Sequence, residues 1–176
     1  PVYIIGHSGG GGVAVFAAES LPPNRKAERL ILLGASISSD YDLSEAMRNT
    51  RQGIVNFYSS KDEILGATLF VGNVDGGRAA SAGLTGFVGG PPGLVQEPWR
   101  PVMSRYGNRG RHAHWTRSDF VEAFVAPYLK PRRTGPPART AGNGAFGRGV
   151  GSGKMRSKAV VPEKARPGPA KPPAGG

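Results

Sequence analysis

The N-terminal residues pass from a short apolar run through a glycine-rich turn directly into a helix, and few folds accommodate that order. Residues 2–5 (VYII) have the β-branched and aromatic side chains of a buried strand, and Gly6 ends the run. Apolar positions then recur at helical spacing up to Pro22, and residues 29–34 (RLILLG) form a second apolar run. This strand-helix-strand unit predicts two parallel strands joined by a right-handed crossover.

Predicted strands and helices continue to alternate as far as residue 130. Residues 54–58 (IVNFY) predict a third strand, and residues 43–48 a short helix that starts near Asp42 or Ser44. The glycine-rich stretch 66–93 predicts an irregular excursion, and a fourth strand is placed in residues 99–106, at an edge because of Pro101. Thr116 and Asp119 have the spacing of a capping box before a final amphipathic helix. The predicted fold class is α/β, with three to four parallel strands and flanking helices.

Composition separates this domain from the C-terminal residues. Residues 1–130 carry 13 basic and 11 acidic side chains, whereas residues 131–176 carry 10 basic side chains and one acid, Glu163. The C-terminal stretch also contains 10 glycines and 8 prolines but no Leu, Ile, Trp or Tyr. Such a stretch cannot bury enough apolar surface to offset its conformational entropy. We therefore predict a domain over residues 1–130 and a disordered basic tail over residues 131–176, with loose binding to polyanions.

The turn after the first strand carries the motif that points to chemistry. Residues 6–10 (GHSGG) match G-x-S-x-G between a strand and a helix, which predicts Ser8 as an exposed nucleophile on a strained turn. Gly6 and Gly10 are predicted to provide the small neighbours that this turn requires. The Gly9 amide, at the start of the helix, is placed to donate to a developing oxyanion. His7 is predicted to pack or support the turn rather than to bind a ligand.

A serine hydroxyl becomes a good nucleophile only when a base accepts its proton and an acid orients that base. Asp62 follows the third predicted strand, and His112 lies in a loop before the last helix. The carboxyl ends of parallel strands meet at one edge of the sheet, so we predict that these residues converge on Ser8. The order leaves open His114 as the base and Asp40, Asp42 or Asp75 as the acid.

These segments together resemble the C-terminal half of an α/β-hydrolase, over residues 1–130. The resemblance implies an esterase- or lipase-like serine hydrolase that uses a Ser-Asp-His triad on a small ester-like substrate, through an acyl-enzyme and without metal or cofactor. It also implies earlier strands and a loop that gives a second oxyanion N–H. Because the strand before the G-x-S-x-G turn stands at the first residues here, we expect a truncated domain with an exposed edge strand. We also expect this domain alone to have weak activity.

Two other classes compete with this hypothesis. Gly9, Gly11 and Ala14 satisfy G-x-G-x-x-A before a helix, which is the pattern of a dinucleotide-binding turn. That fingerprint needs an acid at the end of the next strand, where this sequence has residues 33–36 (LGAS). The second alternative is a non-catalytic scaffold whose basic tail binds anions.

Composition excludes or disfavours several kinds of functional site. The chain has no cysteine, which excludes disulfides and thiol catalysis, and its three histidines give no reason to expect a metal site. Its longest uncharged runs are broken by glycine or proline, so we predict no membrane span. No targeting signal is readable, and a cytoplasmic location is only the default.

Overall fold

A computed structural model describes residues 1–130, except the side chains of residues 68–71. By its internal contacts the chain divides into two units, Pro1–Gly135 and Pro136–Gly176, and the described residues lie in the first. The prediction of a disordered, anion-binding tail over residues 131–176 falls outside the described residues.

The first unit is built on a parallel four-stranded sheet. The strands are β1 (Tyr3–His7), β2 (Arg29–Leu33), β3 (Ile54–Tyr58) and β4 (Leu94–Pro98), and they lie in the order β1-β2-β3-β4. Each pair is parallel. The register aligns the strand ends, with His7 opposite Leu33, Leu33 opposite Phe57 and Tyr58 opposite Pro98. The prediction of a parallel sheet with flanking helices is confirmed.

Helical segments connect the strands and cover the sheet. They are α1 (Gly9–Glu19), α2 (Ser44–Arg48), α3 (Glu63–Val71), α4 (Ala82–Thr85), 3₁₀ turns at Pro101–Tyr106 and His112–Thr116, and α5 (Ser118–Phe120). The last helix continues through a π-helical segment, Val121–Val125, into a 3₁₀ turn, Ala126–Leu129.

Alternation along β2 divides the core between the two faces of the sheet. Leu30 and Leu32 belong to a cluster with residues of α1, α2 and α4. Ile31 and Leu33 belong to a second cluster with residues of β3, with Trp115 of the 3₁₀ turn His112–Thr116 and with Phe120 of the final helical segment. Helices therefore cover both faces, as hydrophobic parallel strands require.

The first strand forms one end of this sheet. In the described part of the chain its outer edge has no strand partner, and Val2 and Ile5 are exposed. Within the described residues β1, the strand before the G-x-S-x-G turn, is therefore an edge strand.

Three local predictions differ from the structure. The fourth strand lies at Leu94–Pro98, and the predicted residues 99–106 contain instead a 3₁₀ turn that Pro101 begins. The stretch 66–93 is not wholly irregular, because it contains the end of α3 and all of α4. The capping box is wrong: the Thr116 hydroxyl donates to the Ala113 carbonyl, and Arg117 precedes the helix without a side-chain cap.

Candidate active site

Ser8 occupies the tight turn between β1 and α1. Its backbone angles are φ 58° and ψ −130°, and within residues 1–130 it is the one non-glycine residue with positive φ. A backbone in such a sparsely populated region costs about 1–3 kcal/mol. Hydrogen bonds hold it there: the Ser8 amide donates to the Leu33 carbonyl (3.1 Å), and the Ser8 carbonyl accepts from Gly11 and Ser36 (both 2.9 Å). This turn places the serine side chain at the carboxyl end of β1.

Close packing at the turn explains two of its glycines. A Cβ atom at Gly6 would lie 2.8 Å from the Ala14 Cβ and would overlap the Gly10 carbonyl. A Cβ at Gly11 would overlap Ala35. Gly10 was predicted to be the second small residue that the turn requires, but a Cβ at Gly10 would meet nothing within 4 Å. Gly11 is the residue at which a side chain would not fit. Gly6 and Gly11 therefore allow α1 to approach the sheet.

His112 faces the serine from the loop after β4. Its Nε2 lies 2.8 Å from the Ser8 Oγ, and its Nδ1 lies 2.8 Å from Asp62 Oδ2 and 3.0 Å from Asp62 Oδ1. Because an ionised carboxylate only accepts, the Nδ1 of His112 carries the proton and donates to Asp62. In neutral His112 the Nε2 is then a bare acceptor, oriented to receive the proton of the Ser8 hydroxyl. Asp62, His112 and Ser8 thus form one continuous hydrogen-bonded chain.

Asp62 has a second partner on its own helix. Its Oδ1 accepts from the Leu65 amide at 3.0 Å, which satisfies a first-turn N–H of α3. The side chain is fully buried, while that of His112 is 13% exposed. The Asp62 carboxylate therefore caps the start of α3 and also accepts the hydrogen bond from His112.

The other candidate acids and the other histidine lie elsewhere. His114 Nδ1 accepts from the Arg109 amide at 3.2 Å. Asp42 is exposed and accepts from the Ser44 amide, and hydrogen bonds from the Ser44 side chain and backbone lower the pKa of Asp42. Asp75 accepts from the Ser38 amide at 3.1 Å, and Asp40 is exposed. Of the acids considered, the structure brings Asp62 to the histidine that faces Ser8.

The Gly9 amide lies next to the serine as the first residue of α1. An amide in the first turn has no intrahelical acceptor, and the helix dipole adds partial positive charge at this end. The described residues provide no acceptor for it either. The arrangement therefore leaves an N–H donor beside the Ser8 hydroxyl.

The sequence predicted that Gly107, Asn108 and Gly110 bend the loop before His112, but it missed the part that Trp99 and Ser59 play in holding that loop. The Trp99 indole N–H donates to the Asn108 carbonyl at 2.9 Å, and Gly107 and Gly110 have φ angles of 78° and 85°. A Cβ at Gly110 would lie 2.9 Å from the Ser59 Oγ. These contacts fix the loop that carries His112, and the loop glycines were the one available sequence signal.

A second contact that was missed from the sequence lies at Gly34, close to Trp115 and Asp62. Gly34 follows β2 with φ 52°, and a Cβ there would lie 2.7 Å from the Trp115 indole and 3.3 Å from Asp62 Oδ2. Trp115 is fully buried and packs against Phe57 and Phe120. A glycine at this position therefore leaves room for both the Trp115 indole and the Asp62 carboxylate.

The described residues do not form the sites that two other classes of protein require. Within residues 1–130 no three His, Asp or Glu side chains are grouped to hold a metal ion. At the carboxyl end of β2, Leu33 is followed by Gly34 and Ala35, so no acid stands where a ribose would require one.

None of the helices in the described part of the chain combines the length and apolar character that crossing a membrane requires.

Known protein-family models, curated proteins and solved structures gave no match to this chain. The function is therefore inferred from the contacts among Ser8, His112 and Asp62.

Proposed function

We propose that this chain is a serine hydrolase of the α/β-hydrolase type, acting on an ester or related acyl bond. Ser8 is the nucleophile, His112 the general base, Asp62 the acid that orients the base, and the Gly9 N–H an oxyanion donor. The observation that carries the proposal is the unbroken chain of hydrogen bonds from Asp62 through His112 to Ser8, each link 2.8 Å long.

The chemistry follows from the protonation states. The Ser8 Oγ attacks the acyl carbon while its proton moves to His112 Nε2, and the negative charge on the substrate oxygen is stabilised by the Gly9 N–H. The bond from the acyl carbon to the leaving-group oxygen then breaks, and His112 donates its proton to the leaving-group oxygen. Water then attacks the acyl-serine while His112 takes one of its protons; the acyl–Oγ bond breaks, and His112 gives that proton to the Ser8 Oγ, which releases the carboxylic acid and restores free Ser8. Throughout, the Asp62 carboxylate stabilises the imidazolium and keeps the proton on Nδ1.

Two further observations support this assignment over a fortuitous contact. Ser8 is held in a strained conformation (φ 58°) by hydrogen bonds from two other segments, and such strain at a polar side chain is typical of functional sites. The acid follows β3 and the histidine follows β4, so the three residues come from three separate strand ends that meet at one edge of the sheet. The same order supports the finer proposal that the sheet is part of an α/β-hydrolase fold.

The experiment compares ester hydrolysis by the full 176-residue chain with that of two serine variants. Ser8→Ala removes the nucleophile and is expected to lower turnover of a p-nitrophenyl ester by about 10³-fold or more. Ser60→Ala is the matched control, because Ser60 is exposed and lies in the loop after β3. Ser60→Ala should hydrolyse at the wild-type rate. Hydrolysis above the uncatalysed rate that is equal in wild type and Ser8→Ala would refute the proposed function.

A further inference from the structure

His7 contacts the loop that carries the base. It is the last residue of β1, directly before Ser8, and its ring is half-buried. Its Nε2 lies 3.0 Å from the backbone carbonyl oxygen of His112. A carbonyl oxygen can only accept, so His7 Nε2 carries a proton and donates it. The hydrogen bond joins residues 105 positions apart in the sequence.

We propose that His7 is a positioning residue for the proton transfer between Ser8 and His112; the proposal rests on the proposed function. The Asp62 hydrogen bonds fix the far side of the His112 ring, at Nδ1. The His7 hydrogen bond fixes the backbone from which that ring projects. Together they hold the ring from two directions, and one of the two anchors belongs to the nucleophile's own strand.

The need for such an anchor follows from where His112 lies. It follows Gly110, whose φ of 85° is a left-handed conformation, and it begins a short 3₁₀ turn rather than a strand or a long helix. The Ala113 side chain is exposed, and the exposed Arg111 side chain lies 4.0 Å from Glu63. The buried Trp115 and the Trp99–Asn108 hydrogen bond hold the loop three or more residues away from His112, whereas the His7 bond acts at the His112 backbone itself. Proton transfer depends on the distance between Oγ and Nε2, and a displacement of about 1 Å can cost 10²-fold in rate. A hydrogen bond from β1 ties this distance to the strand that ends at Ser8.

The two histidine rings also touch. Their centroids are 4.9 Å apart, with the planes tilted by 38°. Ring packing alone is thus a second way in which His7 could affect the loop, and it makes a different prediction: any flat ring of similar size would serve. The hydrogen bond requires a donor that reaches the His112 carbonyl.

Three variants separate these possibilities in the full chain. His7→Phe keeps a planar ring but lacks the donor. His7→Gln restores an N–H at Nε2, the same number of bonds from the backbone as in histidine, whereas the matched His7→Asn is one carbon too short. The readouts are kcat and KM for a p-nitrophenyl ester, with the thermal midpoint as a measure of folding.

We expect His7→Phe and His7→Asn to lower kcat by about 10- to 100-fold with KM within about twofold of wild type. His7→Gln should recover kcat to within about threefold of wild type, as a shared donor predicts. If His7→Phe does not fold, the Gln and Asn pair still decides. Wild-type kcat in His7→Phe or His7→Asn would overturn the proposal, and so would equal losses in the Gln and Asn variants.

Ser8→Ala is measured alongside, so that the two proposals fail separately. Hydrolysis that persists in Ser8→Ala refutes the proposed function itself. Loss of hydrolysis in Ser8→Ala together with wild-type turnover in His7→Phe refutes only the role of His7.

Discussion

Replacing Asp62 by asparagine separates its two hydrogen-bonding roles. Asparagine keeps an oxygen that can accept from the Leu65 amide, which the Asp62 Oδ1 now does at 3.0 Å. It cannot present two acceptor oxygens to His112, whose Nδ1 lies 2.8 and 3.0 Å from the present carboxylate oxygens. The side-chain NH₂ of asparagine would donate to Nδ1, so neutral His112 would carry its proton on Nε2. That tautomer cannot accept the proton of Ser8.

The expected loss follows from this change of tautomer. An asparagine at the acid of a Ser-His-Asp site costs about 10⁴-fold in kcat, which is about 5 kcal/mol at 1.36 kcal/mol per factor of ten. Asparagine and aspartate are about equally good helix caps, so the free energy of unfolding should change by less than about 1 kcal/mol. Asp62→Ala loses the cap as well, which adds about 0.5–2 kcal/mol of destabilisation.

The assay measures ester turnover and thermal unfolding for wild type, Asp62→Asn and Asp62→Ala. A folded Asp62→Asn variant with strongly reduced kcat would show that the carboxylate orients His112. The reasoning would be refuted if Asp62→Asn kept more than a tenth of wild-type turnover, because Asp62 would then serve the domain only as a helix cap.

Three more predictions test the alternatives and the packing. His114→Gln should keep turnover within about threefold of wild type, whereas His112→Gln should lose at least about 10³-fold in the same assay. Gly34→Ala should lower the free energy of unfolding by about 2–4 kcal/mol in urea titrations, because a Cβ there meets Trp115 in a left-handed conformation. Burial, together with Glu97, raises the pKa of Tyr128 to about 12, so its stabilising contribution is complete below pH ~10 and is lost as pH rises through 12; stability should fall less over this range in Tyr128→Phe.

Much of the sheet and the order of the site residues could be predicted because they depend on local patterns. The apolar runs of β1 and β2 are uninterrupted, β3 is apolar apart from Asn56, and the turn at Ser8 has a short, glycine-rich signature. Parallel topology then brings the ends of these strands together, which placed Asp62 near Ser8 without any further information.

The fourth strand was misplaced because its stability comes from distant partners. Gln96 is polar, yet its side chain pairs with both the amide and the carbonyl of Phe87. Glu97 accepts from the Tyr128 hydroxyl at 2.6 Å. A five-residue strand held by such tertiary contacts has little apolar signal of its own, whereas the predicted segment contained more aromatic side chains.

The choices between neighbouring candidates also depended on three-dimensional packing. His112 and His114 are two positions apart in one loop, and sequence order fits either. In the folded loop, which has left-handed glycines and the bond from Trp99 to Asn108, it is the His112 ring that contacts Ser8, while His114 accepts from the Arg109 amide. Gly11 could not be distinguished from Gly10 because only the approach of Ala35 makes a side chain impossible there.

The central claim is that Ser8 is an activated nucleophile, and the most direct test is to identify the residue that a fluorophosphonate modifies. The reaction joins the serine oxygen to phosphorus and releases fluoride, with the serine proton taken up by the base. The tryptic peptide that ends at Arg25 contains both Ser8 and Ser20, so fragment ions must localise the adduct. If Ser8 is an activated nucleophile, the folded chain acquires a single phosphonyl group on Ser8, and the His112→Gln variant acquires no phosphonyl group. An adduct on another serine, or an unmodified Ser8 in a folded chain, would contradict it.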